Sequence, residues 1–121
     1  MAVTFTATTP INKQVSGTEA CGRGVKITCS GTTSDNGDTL SPGLFGLTKL
    51  TSVVLHSGAT VDSESNPENG FVLALAQPSV GTFNVIFLSQ AVAGATTPLA
   101  AITDGTSVAN HVFYATGYGK P

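Results

Sequence analysis

The sequence predicts an all-β fold, an antiparallel β-sandwich or small barrel of about seven to eight strands, and three observations predict it. Apolar residues recur at every second position and nowhere keep a 3.6-residue spacing over the ~11 residues of a typical helix. Gly, Pro, Asn, Asp and Ser interrupt the chain at short intervals, supplying the backbone angles and local hydrogen bonds that turns need. The middle of the chain holds three short runs dense in Val, Ile, Leu and Phe, with the length and composition of buried strands.

In chain order, Val3, Phe5 and Ala7 alternate with Thr4, Thr6 and Thr8, which predicts a half-exposed strand with a threonine face. Val25, Ile27 and Cys29 alternate with Lys26, Thr28 and Ser30 in the same way. The two cysteines, Cys21 and Cys29, would face each other if a tight hairpin lay between them, and a disulfide would then be geometrically allowed. The preferred reading keeps both thiols reduced, with Cys29 a small core residue, because a cytoplasmic site of synthesis is reducing. "SDNGD" (34 to 38) is a turn signal. The runs "LTSVVLHS" (50 to 57), "GFVLALAQ" (70 to 77) and "GTFNVIFLSQ" (81 to 90) predict strands covered on both faces, with Phe71, Leu73 and Leu75 on one side and Val72, Ala74 and Ala76 on the other. "TDGT" (103 to 106) predicts a two-residue Asp-Gly hairpin joining "PLAAI" to "SVANHVFYATG".

Composition narrows the function classes. Of the 121 residues, 40% are hydrophobic and 10% charged, against about 25% charged in an ordinary soluble domain. No composition shift divides the chain, so residues 1 to 121 form one domain, with residues 1 to 20 and the tail "GYGKP" as candidate arms. The net charge is −2 and the five cations, Lys13, Arg23, Lys26, Lys49 and Lys120, are scattered, which excludes a concentrated footprint for nucleic acid. No apolar run approaches the ~20 residues that span a bilayer, and the N-terminus has neither the basic nor the apolar part of a signal peptide, so we expect synthesis and folding in a cytoplasm and no membrane partner.

"DSESNPENG" (62 to 70) concentrates three of the seven carboxylates, Asp62, Glu64 and Glu68. They are the calcium candidates, but an EF-hand counted from Asp62 would need Gly and Glu where Pro67 and Leu73 stand. A turn of solvated carboxylates is the simpler reading, with a looser oxygen cage borrowing Asp35 or Asp38 as its alternative. No acid pair has the buried setting that glycoside hydrolysis needs, no G-x-S-x-G elbow is present, and "GLFGLTK" (43 to 49) lacks Walker spacing. A zinc site would require His56, His111, Cys21 and Cys29 to converge from distant positions. We therefore expect no enzyme, no cofactor and no metal. His111 stands beside Phe113 and Tyr114 in an aromatic strand poor in charge, and such strands favour contacts. Val3, Phe5, His111, Phe113, Tyr114 and Tyr118 are the candidate interface residues. The threonine-faced N-terminal strand is expected to add to a neighbour's sheet edge, so that deleting residues 2 to 9 would stop assembly and spare the fold.

The length, the abundance of Thr and Gly, the lack of Trp and the stretch "ITDGTSVANHVFYATG" (102 to 117) together resemble the small all-β virion proteins of tailed bacteriophages. The likeness is to those that decorate or cement the head, where a DG turn precedes small residues and an apolar strand. The resemblance implies a trimer or similar cluster, localised to the virion, that binds the major capsid protein or another virion protein and stabilises the shell without a cofactor. The expected function is therefore a self-associating structural virion protein. The alternative is a carbohydrate- or receptor-binding β-module of a virus tail or fibre. The only aromatics suited to stack on a sugar are Tyr114 and Tyr118, since the chain has no Trp.

Overall fold

The computed structural model describes residues 3–7, 12–34, 37–56, 59–62, 71–89, 100–101, 105 and 107–121. These build ten antiparallel strands: β1 (Val3–Ala7), β2 (Asn12–Ser16), β3 (Glu19–Gly31), β4 (Asp38–Leu40), β5 (Lys49–Leu55), β6 (Val61–Asp62), β7 (Val72–Ser79), β8 (Thr82–Ser89), β9 (Ala100–Ala101) and β10 (His111–Lys120). One 3-10 turn, Pro42–Phe45, joins β4 to β5. The strands form two sheets. The larger has the order β1-β3-β10-β5, with β2 also on β3 and β6 also on β10; the smaller has the order β4-β8-β7, with β9 also on β8. The fold is a small sandwich. The strand number exceeds the expected one partly because β6 and β9 are each two residues long.

The alternation that predicted β1 places Val3 inward and Thr4 and Thr6 in solvent. β3 is 13 residues long and serves as the spine of its sheet. Its Glu19 to Arg23 half pairs with β2, its Ile27 to Gly31 half pairs with β1, and β10 runs along its other edge. A two-residue loop with Gly17 at φ 63° closes the β2–β3 hairpin, a position that favours glycine. The two ends of the predicted turn at 34 to 38 meet, Gly37 at φ 85° donating its N–H to the Ser34 carbonyl at 3.2 Å.

The core lies between the sheets. Val25, Ile27, Cys29, Phe113 and Ala115 of the large sheet meet Leu40, Leu73, Phe83, Val85 and Phe87 of the small one. The 3-10 turn closes the core as a plug, because Phe45 is fully buried against β3 and β10. It fits only because Gly22 and Gly117 sit beneath it; a Cβ at Gly117 would fall on the Phe45 ring and one at Gly22 on the Phe45 backbone. Edge-on aromatic pairs, Phe5 with Phe113 and Phe71 with Phe87, tie the ends of the sandwich together.

One alternative closes and three expectations change. Cys21 and Cys29 lie on the same strand rather than across a hairpin, and eight residues of extended chain separate them by roughly 25 Å, far beyond the ~7 Å a disulfide tolerates. Both thiols are free. The described strands on either side of the Asp-Gly pair do not pair with each other as a hairpin requires: β9 pairs with β8 in the small sheet, while β10 lies in the large one. Gly105 takes φ 84° and donates its N–H to the Thr33 carbonyl at 2.8 Å. β7 is covered on one face only, with Leu73 inward and Val72 exposed. Finally, residues 3–7 and 12–16 are strands of the large sheet and not a free arm. Removing residues 2 to 9 would take away Phe5 from Phe113 and leave Asp38 without the Val3 N–H it holds at 2.9 Å, so that deletion attacks the fold as well as any contact.

Candidate functional site

β10 runs through the centre of the large sheet and divides its side chains by parity. Phe113, Ala115 and Gly117 face the core; Tyr114, Thr116 and Tyr118 lie on the other side, where the two tyrosines are exposed and Thr116 is buried between them. The outward face is not covered by the second sheet. Tyr114 and Tyr118 are 39% and 43% exposed, and Val54, opposite Thr116 on β5, is 47% exposed. Lys26 stands opposite Tyr114, and Cys21 and Ser52 flank Tyr118. Beyond Cys21 come Gln14 and Val15 of β2, and an open groove of about 460 Å³ runs between them and Tyr118. At the end of this face Lys120 pairs with Glu19 at 3.4 Å. Both partners are exposed, so the pair contributes little to stability.

The pairing of β3 with β10 breaks at Thr116. From Ala115 to Gly117, β10 advances two residues while β3 goes from Val25 to Gly22, so Arg23 and Gly24 both stand opposite Thr116. Gly24, the second residue of this bulge, has φ 57°, a left-handed geometry that favours glycine. Its N–H leaves the ladder and donates to Thr116 Oγ1 at 3.0 Å. His56, just past the end of β5, brings its Nε2 to the same oxygen. Arg23 is steered across the face by a bond from its Nη1 to Gln14 Oε1 at 3.2 Å. An open cleft of about 400 Å³ results, lined by Arg23, Gly24, His56 and Thr116.

The candidate interface residues separate into two groups. Tyr114 and Tyr118 lie on the open face. Val3, His111 and Phe113 are buried, and Phe5 is half-buried against Phe113, so these four support the interior of this subunit. His111 is held through Nδ1 by Thr60 Oγ1 at 3.1 Å and stacks at a tilt on Phe71, 5.0 Å between ring centres. Thr60 Oγ1 also accepts the Phe71 N–H at 2.9 Å, so one hydroxyl pins two segments. The four candidate zinc ligands do not converge: Cys29 and His111 point inward, whereas Cys21 and His56 are on the outer face.

Of the calcium candidates, Glu64, Glu68 and Asp35 lie outside the described residues, as does the side chain of Asp62, whose backbone pairs with His111 in β6. Asp38 is buried and engaged, accepting the N–H groups of Val3 at 2.9 Å and Ser34 at 3.3 Å. Among the described residues no group of three or more His, Cys, Asp or Glu side chains gathers, and no helix is long and apolar enough to cross a membrane.

Against known protein families, curated sequences and solved structures, the chain finds no match.

Arg23, His56 and Thr116 escaped the sequence reading as a group. The signal available was Gly24 inside an otherwise regular strand pattern, since an isolated strand glycine often marks a bulge.

Proposed function

We propose that this protein acts by contact rather than catalysis: a self-associating virion component of the head decoration or cement type, seated through the outer face of its large sheet. The observation that carries the reading is that face itself. Two tyrosines, Val54 and Arg23 lie side by side on a rigid central strand and its neighbours, uncovered by the second sheet. Tyr and Arg are the residue types that dominate the energetic centres of protein interfaces. A chain with 10% charged residues gains from having such a face covered. The resemblance to phage head proteins supplies the kind of partner, namely copies of this chain and a capsid shell, and such a role needs no cofactor. Val80, 98% exposed at the β7–β8 turn, is a second apolar projection available to a neighbour.

One observation favours a second reading, a carbohydrate- or receptor-binding module of a tail or fibre. Tyr114 and Tyr118 are exposed on one strand at a separation of ~13 Å, and exposed rings can stack on sugars.

The deciding measurement is light scattering and sedimentation of the protein up to millimolar concentration, with and without tailed-phage head shells. Association by the wild type and its loss in a Tyr114→Ser/Tyr118→Ser variant is the expected result. A wild type that stays monomeric and ignores every shell overturns the reading. Glycan binding lost in Tyr118→Ala, with oligomers intact, would move the assignment to the second one.

A further inference from the structure

We infer that the bulge cleft formed by Arg23, Gly24, His56 and Thr116 is a carboxylate-binding site, which takes a Glu or Asp side chain from the protein that the outer face contacts. The inference rests on the contact reading and adds the chemistry at its centre.

The hydroxyl of Thr116 has one proton to give and two lone pairs with which to accept. One lone pair takes the Gly24 N–H at 3.0 Å. When His56 carries a proton on Nε2, that N–H takes the other lone pair, and the hydroxyl proton is the one group left to satisfy. Whatever enters the cleft next to Thr116 meets a donor there in that tautomer, whereas in the other the hydroxyl donates to His56 Nε2. It meets donors on the flank as well. The bond to Gln14 uses one of the five N–H groups of the Arg23 guanidinium and holds the side chain across the face. A group that only accepts matches this wall, and the planar fork of arginine fits a carboxylate in a two-point contact.

The neighbours argue for the same sign of charge. Lys26 stands on this face opposite Tyr114. The carboxylate of Glu19, at the far end, is paired with Lys120. Among the residues whose side chains are described, the other carboxylate, Asp38, is buried at the start of β4 and holds the N–H groups of Val3 and Ser34. The Arg23 guanidinium thus places a positive charge in the cleft wall, and among the described residues no acid lies beside it. Thr116 forms the buried floor of the cleft between Tyr114 and Tyr118 on β10, so an acid at the cleft mouth would lie between the two exposed tyrosines. Charge pairs shielded by surrounding aromatic contacts are the usual anatomy of an interface centre, which favours a protein side chain over a sugar in a chain without Trp.

The test uses the full chain and acetate as the first probe. NMR titration at constant ionic strength, with chloride as the control, should give saturable shifts confined to the Gly24 N–H, the Thr116 amide, the Arg23 side chain and the His56 ring. Arg23→Met should weaken acetate binding by about tenfold, equivalent to the 1.4 kcal/mol of one decade. Arg23→Lys, which keeps the charge and loses the fork, should fall between. A matching amide spectrum elsewhere in each variant verifies the fold. A Glu-containing peptide should then shift the same resonances and its Gln counterpart should not. No saturable shift, or equal shifts with chloride, overturns the site. Glucuronate binding about tenfold more tightly than the Glu peptide overturns the protein occupant. Association that persists unchanged in Arg23→Met removes the inference and leaves the contact reading standing. Acetate binding in a chain that never associates does the reverse.

Discussion

The two sides of β10 share one backbone and differ by a single step of register, yet they obey different rules. Inward, Phe113 is 1% exposed and Ala115 not at all, and Gly117 has no side chain because the Phe45 ring occupies that volume. Every atom there is fixed by what fits. Outward, Tyr114 and Tyr118 leave about two-fifths of their surface open, while Thr116 between them is buried under its bonds with Gly24 and His56. The inner row sets stability and the outer row is free to set recognition. Substitutions on the two sides should accordingly separate folding from association.

The largest effect is expected at Phe113→Ala. Removing a fully buried phenylalanine typically costs 3–5 kcal/mol on the order of magnitude, from lost transfer energy and the cavity left behind. Here the loss also strands Phe5, whose ring meets Phe113 edge-on at 5.9 Å. Urea denaturation should show a large drop in midpoint. The adjacent Tyr114→Ala should change it by about 0.5 kcal/mol or less, as exposed substitutions do. Similar values for the two would break the division of the strand.

Cys29 and Cys21 carry the same comparison to β3, where the effect is set by pH. Burial first, and the nearby Asp38 second, push the Cys29 thiol from 9.0 up to about 12. The unfolded chain ionises that thiol at its ordinary value and the folded chain does not. The stabilisation is thus whole below pH 9 and declines as the pH climbs from 9 toward 12, with a slope of up to about 1.4 kcal/mol per unit. Stability measured between pH 8 and 11 in wild type and Cys29→Ala should show the steeper fall in the wild type; parallel curves would contradict the burial. In the native protein a thiol reagent at pH 8 should modify the half-buried Cys21 quickly and Cys29 only at the rate of unfolding.

Next in size is Asp38→Ala. Its carboxylate accepts the Val3 and Ser34 N–H groups, and leaving buried donors unpaired costs ~1–3 kcal/mol. Because Val3 begins β1, hydrogen exchange should rise first along β1. Uniform exchange through the large sheet would instead mean that β1 and β3 open together.

The fold class, the inward set of β3 and the turn at 34 to 38 were legible because each depends on residues close together in sequence. Period-two alternation fixes which way Val25, Ile27 and Cys29 point whatever the partner strand is. What escaped depended on distant pairing. "TDGT" carries good hairpin chemistry, but β8 captured β9 and β3 captured β10, and turn residues cannot decide that competition. The runs at 70 to 77 and 81 to 90 are apolar enough for two covered faces, yet no third layer covers them among the described residues. Within the site, Tyr114 and Tyr118 were visible as aromatics, whereas the cleft between them arises from a bulge that shifts β3 by one residue against β10. His111 and Phe113 were assigned to the surface for their aromatic company, and tertiary packing turned both inward.

The smallest expected change in stability is also the sharpest test of the division. Tyr118→Ser removes an exposed ring that borders the groove with Gln14 and Val15, and its backbone carbonyl still accepts the Thr51 hydroxyl at 3.1 Å. Folding should move by no more than about 0.5 kcal/mol. Association should fall by at least about tenfold, since an interfacial tyrosine commonly contributes more than 1 kcal/mol. A variant that unfolds would show that the ring supports β10 itself, and one that assembles as well as the wild type would move the contact to another surface. Only a stable chain with weakened association agrees with a strand whose one side holds the protein together while the other meets its neighbours.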